Sequence, residues 1–98
     1  MLTSQQVENK LRALKPVLQE KYFVNKIGYF GSFASGDQTE GSDVDILVEF
    51  SQPLGLDYFD LEDLLVKEFQ RKVDLVSVKA LKSQLKEIIL RQDRKSVV

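Results

Sequence analysis

The sequence predicts an α/β domain of the mixed (α+β) kind: one small mixed β-sheet of three to four strands with helices packed against it. Three observations predict it. Residues 43–50 alternate, with Val44, Ile46, Val48 and Phe50 on one face and Asp43, Asp45, Leu47 and Glu49 on the other, the period of a strand with one buried face. Residues 3–22 and 57–69 repeat apolar side chains at three- and four-residue steps, the period of an amphipathic helix. The second of these helices lies between two strand-like runs, 43–50 and 72–78, which makes a strand–helix–strand unit that closes as a right-handed parallel crossover.

The elements follow in order. In residues 3–22, Val7, Leu11, Leu14, Leu18 and Tyr22 form the apolar stripe, and Thr3 with Gln6 fits a capping box. Pro16 lies inside that pattern and is expected to kink or divide the helix. Residues 26–30 are short, apolar and aromatic, and read as a strand. They run into Gly31-Ser32-Phe33-Ala34-Ser35-Gly36 and then a polar turn over 37–42. The strand over 43–50 pairs antiparallel with the first, because the link between them is short. Residues 51–56 hold Pro53 and Gly55 and connect to the helix over 57–69, whose stripe is Tyr58, Leu61, Leu64, Leu65 and Phe69, with Asp57 and Asp60 at its positive end. The run over 72–78 is a third strand, and 80–91, with Leu81, Leu85, Ile88 and Ile89, a third helix. The tail from residue 92 is expected to fray. Leu54, Leu56, Tyr58 and Phe59 form an unusual apolar set, read first as core and, as the alternative, as partly exposed.

Composition narrows the chemistry. The 98 residues make a single domain, 1–98, with a modest core. Basic and acidic side chains number 14 and 15, for a net charge of −1, which argues against direct binding of nucleic acid. The chain has no cysteine and no histidine. A thiolate zinc site, an imidazole metal site and a Ser-His-Asp arrangement are excluded. A metal must be held by oxygen, which favours magnesium, manganese or calcium. A catalytic base must be a carboxylate, a lysine or a metal-bound hydroxide. No apolar run reaches membrane-spanning length, and the polar N-terminus is not a signal peptide, so the expected location is the cytoplasm.

The candidate site lies on the two β-strands that carry aspartate. Asp43 and Asp45, two apart on a strand, leave the same face with Cα atoms about 6–7 Å apart. Two carboxylates so placed repel by about 1 kcal/mol or more, and divalent cations offset that repulsion, in two-metal sites with ions about 3.5–4 Å apart. Asp74 sits in the apolar run Val73-Asp74-Leu75-Val76 and completes a triad if that strand lies beside the second. Taken alone, an Asp-x-Asp pair or a lone strand aspartate is more often a solvated face. Ile46-Leu47-Val48 after the pair excludes an EF-hand loop. The Gly31-Ser32 turn lets backbone approach a ligand, and successive N–H groups can cradle phosphate. It is not a Walker A loop, because Asp37-Gln38 stands where Lys-Ser/Thr is required. It is not a Rossmann fingerprint either, because a strand rather than a long helix follows.

In combination, Gly31-Ser32, ten residues, Asp43-Val44-Asp45 and then a strand carrying Asp74 resemble the DNA polymerase β-like nucleotidyltransferase superfamily. The stretches Phe30-Gly-Ser-Phe-Ala-Ser-Gly36 and Ser42-Asp-Val-Asp-Ile-Leu-Val48 are most similar to the minimal nucleotidyltransferases (MNT) of prokaryotes. The resemblance implies that Gly31 and Ser32 hold the triphosphate and that Asp43 and Asp45 bind the metals that bridge it. Asp74 would hold the second metal or take the proton of the attacking hydroxyl. The expected cofactor is Mg2+, in a two-metal site, with Mn2+ as a substitute, and the expected substrate is ATP or another NTP. The sequence departs from the family pattern at Ser35, where the family has arginine, and no basic residue lies between Lys26 and Lys67.

A domain of this length is expected to draw its acceptor surface from a partner or from a second copy of itself. The resemblance implies a partner with a HEPN domain, a toxic ribonuclease, with the MNT protein as antitoxin through binding and AMPylation of a tyrosine. Three readings stand open at this point: an enzyme moving AMP to a hydroxyl of that partner, a non-catalytic antitoxin that inhibits by complex formation, and a nucleotidyltransferase for a small molecule.

Overall fold

The computed structural model describes residues 2–77 and 94–96. Helix α1 (Ser4–Tyr22) opens on the Thr3–Gln6 capping box in both directions and closes on Phe23 in the left-handed conformation. It runs as a single helix through Pro16; the expected division does not occur. Pro16 and Arg12, four residues earlier, are both exposed, so the carbonyl that loses its helical donor faces water rather than core. Val7, Leu11, Leu18 and Tyr22 form the buried stripe.

Strand β1 (Val24–Phe30) is followed by a single-turn helix, α2 (Ser32–Ser35), where the sequence predicted only a turn. Strand β2 (Val44–Phe50) leads to α3 (Asp57–Phe69), with Asp57 and Asp60 in its first turn, and then to β3 (Val73–Ser77). A short strand β4 (Arg94–Ser96) lies in the segment expected to fray. The helix expected over 80–91 lies outside the described residues.

The four strands form one sheet in the order β3-β2-β1-β4. β1 pairs antiparallel with β2 and β4, and β2 pairs parallel with β3, as a short link and a helical crossover dictate. Val44, Ile46, Val48, Ile27, Tyr29, Val73 and Leu75 join α1 and α3 in one buried cluster with Leu61, Leu65 and Phe69. The Tyr29 hydroxyl donates to Glu8 of α1 at 2.7 Å, which satisfies the polar end of a nearly fully buried ring. Phe30 and Leu47 with Val76 make a smaller apolar group; the pairing register puts it on the opposite face, beside the aspartates.

The apolar set near the start of α3 divides. Leu54 and Tyr58 pack on the core, but Leu56 is 82% exposed and Phe59 61%. The reading as core fails for these two, and the alternative of a partly exposed set holds. They fall on the outer side of the helical stripe set by Leu61 and Leu65.

Candidate active site

Pairing register builds the site. Phe30 of β1 lies opposite Asp45 of β2, and Asp45 lies opposite Asp74 of β3. Directly paired residues share a face, so Asp45 and Asp74 stand side by side on the face away from α1 and α3. Asp43 is two residues upstream of Asp45, just before β2 begins, near enough for its charge to act on the Asp45 carboxyl. On the other side of β1, the backbone of Phe30 pairs with that of Arg94 of β4.

Electrostatics agree with this placement. The Asp45 carboxyl is pushed above the ordinary aspartate value, first by burial, then by the charge of Asp74, then by that of Asp43. Asp43 and Asp74 are themselves exposed.

The glycine turn meets the same carboxylate. Gly31 has φ +70° and ψ −145°, a backbone conformation that L side chains rarely adopt. A Cβ at Gly31 would collide with Asp45 Oδ2. Glycine therefore serves twice here, for its backbone angle and for the close approach of the turn to the carboxylate. Gly31 caps α2 without a side chain, leaving the N–H groups of Ser32 and Phe33 without intrahelical acceptors. Phe33 is buried and anchors the turn in the core, and the Ser4 hydroxyl donates to the Phe33 carbonyl from the start of α1. Ser35 bonds within its own loop, to Asp37 at 3.0 Å.

An oxygen-only donor set of three carboxylates on one sheet face suits a hard divalent cation. The like-charge pressure on Asp45 is what such a cation relieves. Among the described residues no three acidic side chains are grouped so as to hold a metal ion. The sequence reading missed Arg71. Its Nη1 donates to the carbonyls of Ser42 at 3.2 Å and Glu40 at 3.5 Å, and its guanidinium lies 5.8 Å from the centre of the Phe33 ring. The available signal was a basic pair, Arg71-Lys72, immediately before the strand that carries Asp74.

The family model described as "Nucleotidyltransferase domain" matches residues 11–97. The chain belongs to this nucleotidyltransferase family. It is 42% identical over 93 residues to the protein adenylyltransferase MntA of Thermococcus cleftensis, covering 94% of each chain. Among solved structures, it is similar to a toxin–antitoxin with AMP-PNP, at TM-score 0.77 and 27% identity, covering 93% of this chain and 72% of that one. A complex of tri-AMPylated Shewanella oneidensis HEPN toxin with MNT antitoxin shares the fold, at TM-score 0.72 and 24% identity over 98% of this chain and 72% of that one. The protein is thus a nucleotidyltransferase with the fold of the minimal members, and its family generally uses divalent metals. Among the described residues no helix is long and apolar enough to cross a membrane.

Proposed function

We propose that this nucleotidyltransferase transfers AMP from ATP, with magnesium, to a hydroxyl of a partner protein, and that the partner is a HEPN-domain toxin for which this chain is the antitoxin. The observation that carries the reading is the pairing of Asp45 with Asp74 across parallel strands, with the Gly31 turn against the Asp45 carboxylate. The names of the MntA relative and of the solved toxin–antitoxin complexes support the acceptor class and the partner.

In this reading Asp43 and Asp45 hold the metal, with Asp74 as a third ligand or as the base. When bound, a divalent cation supplies charge neutralisation at the triphosphate and polarisation of the α-phosphorus. The chain's own groups do the rest. The Ser32 hydroxyl and the N–H groups at the start of α2 hold phosphate oxygens. The attacking hydroxyl oxygen forms a bond to the α-phosphorus while the bond to the bridging oxygen of the β-phosphate breaks, and pyrophosphate leaves. With no histidine in the chain, the proton of the attacking hydroxyl goes to a carboxylate, and exposed Asp74 is the one open to an incoming acceptor. Positioning and electrostatics provide most of the acceleration.

The test is to incubate the protein with ATP, magnesium and the HEPN-domain protein encoded beside it, and to measure the partner's intact mass. The expected outcome is added AMP, reduced by about a thousandfold or more in rate, which is about 4 kcal/mol of transition-state stabilisation, in folded Asp43→Asn and Asp45→Asn variants. A second reading is favoured by Ser35 at the position of the family arginine and by the exposure of Leu56 and Phe59: an antitoxin that acts by binding alone. An unmodified partner, silenced equally by wild type and by the aspartate variants, would establish that reading instead.

A further inference from the structure

The proposed chemistry uses Asp43, Asp45 and Asp74 and gives no role to Arg71. Arg71 follows Gln70, the left-handed cap of α3, and precedes Lys72, whose carbonyl accepts the Val44 N–H at 3.1 Å. It thus stands where the β2/β3 ladder begins. Arg71 ties three segments together. It donates to the Glu40 and Ser42 carbonyls of the loop before β2, it faces the Phe33 ring of the glycine turn, and its own backbone leads into the strand of Asp74.

The Ser42 carbonyl belongs to the peptide unit that joins Ser42 to Asp43. Asp43 lies before the first residue of β2, so sheet pairing fixes Asp45 and Asp74 but stops short of Asp43. The peptide plane leading into Asp43 is held instead by Arg71. The loop's own turn, with the Ser42 N–H donating to the Thr39 carbonyl at 3.1 Å and the Thr39 N–H donating to Ser42 Oγ at 2.8 Å, braces the preceding peptide unit, Gly41–Ser42, and so the other side of the Ser42 Cα. Among the described residues Arg71 makes no salt bridge, and its Nε is buried without a hydrogen-bond partner. Partial burial of a cation against neutral carbonyls is costly. A surface turn of this length does not need it, whereas a metal ligand that lies outside the sheet does need an anchor.

We infer that Arg71 is the positioning residue for Asp43, holding its backbone so that its carboxylate joins those of Asp45 and Asp74. The inference rests on the proposed metal-dependent function. It makes the site depend on the α3–β3 junction.

Two measurements decide it, on Arg71→Ala and on the more conservative Arg71→Lys. The first is amide hydrogen exchange in metal-free protein. The Ser42 amide should exchange at least about tenfold faster in Arg71→Ala, with Ile46 and Val48 unchanged and Arg71→Lys in between; equal protection at Ser42 in wild type and both variants would overturn the inference. The second is Mn2+ binding in the presence of a non-hydrolysable ATP analogue. Affinity should fall about tenfold or more in Arg71→Ala, and the same substitution should have no further effect in an Asp43→Asn background. An equal fall in both backgrounds would show general loosening and sink the positioning role. Should wild type bind no Mn2+, the proposed function fails, while amide exchange still decides whether Arg71 holds the loop that leads into Asp43. Should Arg71→Ala not fold, Arg71→Lys carries both readouts.

Discussion

On the helix-covered face of the sheet, Val44, Ile46 and Val48 are fully buried, whereas on the opposite face of the same strand Asp45 and Glu49 are half-buried and Asp43, just before it, is exposed. One step along the chain separates the two environments. The covered face is filled by α1 and α3 and supplies the apolar burial that holds so small a domain together. The open face keeps carboxylates close together and partly dry, which works against folding. The strand thus spends stability from one face on charge held at the other, and the two faces should answer differently to substitution.

The largest effect on folding is expected on the covered face. Ile46→Ala should lower unfolding free energy by about 2–5 kcal/mol in denaturant titration, with nucleotide affinity unchanged where the variant is folded. A large loss of affinity would mean that the faces are not separable. Gly31→Ala should cost less, about 1–3 kcal/mol, because its methyl group meets Asp45 and its backbone angle is strained. In an Asp45→Ala background that cost should shrink toward the backbone contribution alone, a comparison thermal melts can make. An undiminished cost would remove the carboxylate from the account. The smallest effect is the pH response. The Asp45 pKa is higher folded than unfolded, so folded protein holds the extra proton. The stability it contributes is complete below the unfolded value and is lost as pH rises through the folded one. Metal-free stability should therefore fall with pH across a window opening just above 3.8, the ordinary aspartate value. Asp45→Asn should flatten that slope and melt no more than about 4 °C above wild type at neutral pH, since partial exposure screens the group.

The sequence made the covered face legible because burial imposes a period. Val44, Ile46 and Val48 alternate, α1 and α3 carry stripes, and the capping box at Thr3 is local chemistry. Asp45 and Asp74 could be placed together from strand order and the parallel crossover. Three things stayed hidden. The short β4 has no periodicity of its own and exists through pairing with β1. Exposure of Leu56 and Phe59 depends on the angle at which α3 sets down, which an apolar residue does not announce. Arg71 acts through hydrogen bonds to carbonyls about thirty residues upstream, and backbone acceptors carry no residue-type signal.

Under the proposed transfer of AMP to a partner's hydroxyl, a chain with tyrosines of its own risks marking itself. The chain has three tyrosines, and each phenol is withheld. Tyr22 is buried at the end of α1. Tyr29 points to the covered face, its oxygen engaged by Glu8 and its ionisation opposed by burial and by that carboxylate. The Tyr58 hydroxyl donates a hydrogen bond to the Leu75 carbonyl. Strand alternation sets Tyr29 on the far side of the sheet from Asp45, and the bond to Glu8 holds the ring there; under the proposed transfer to a partner's hydroxyl, the same bond that completes the core insulates the chain's own phenol from the site.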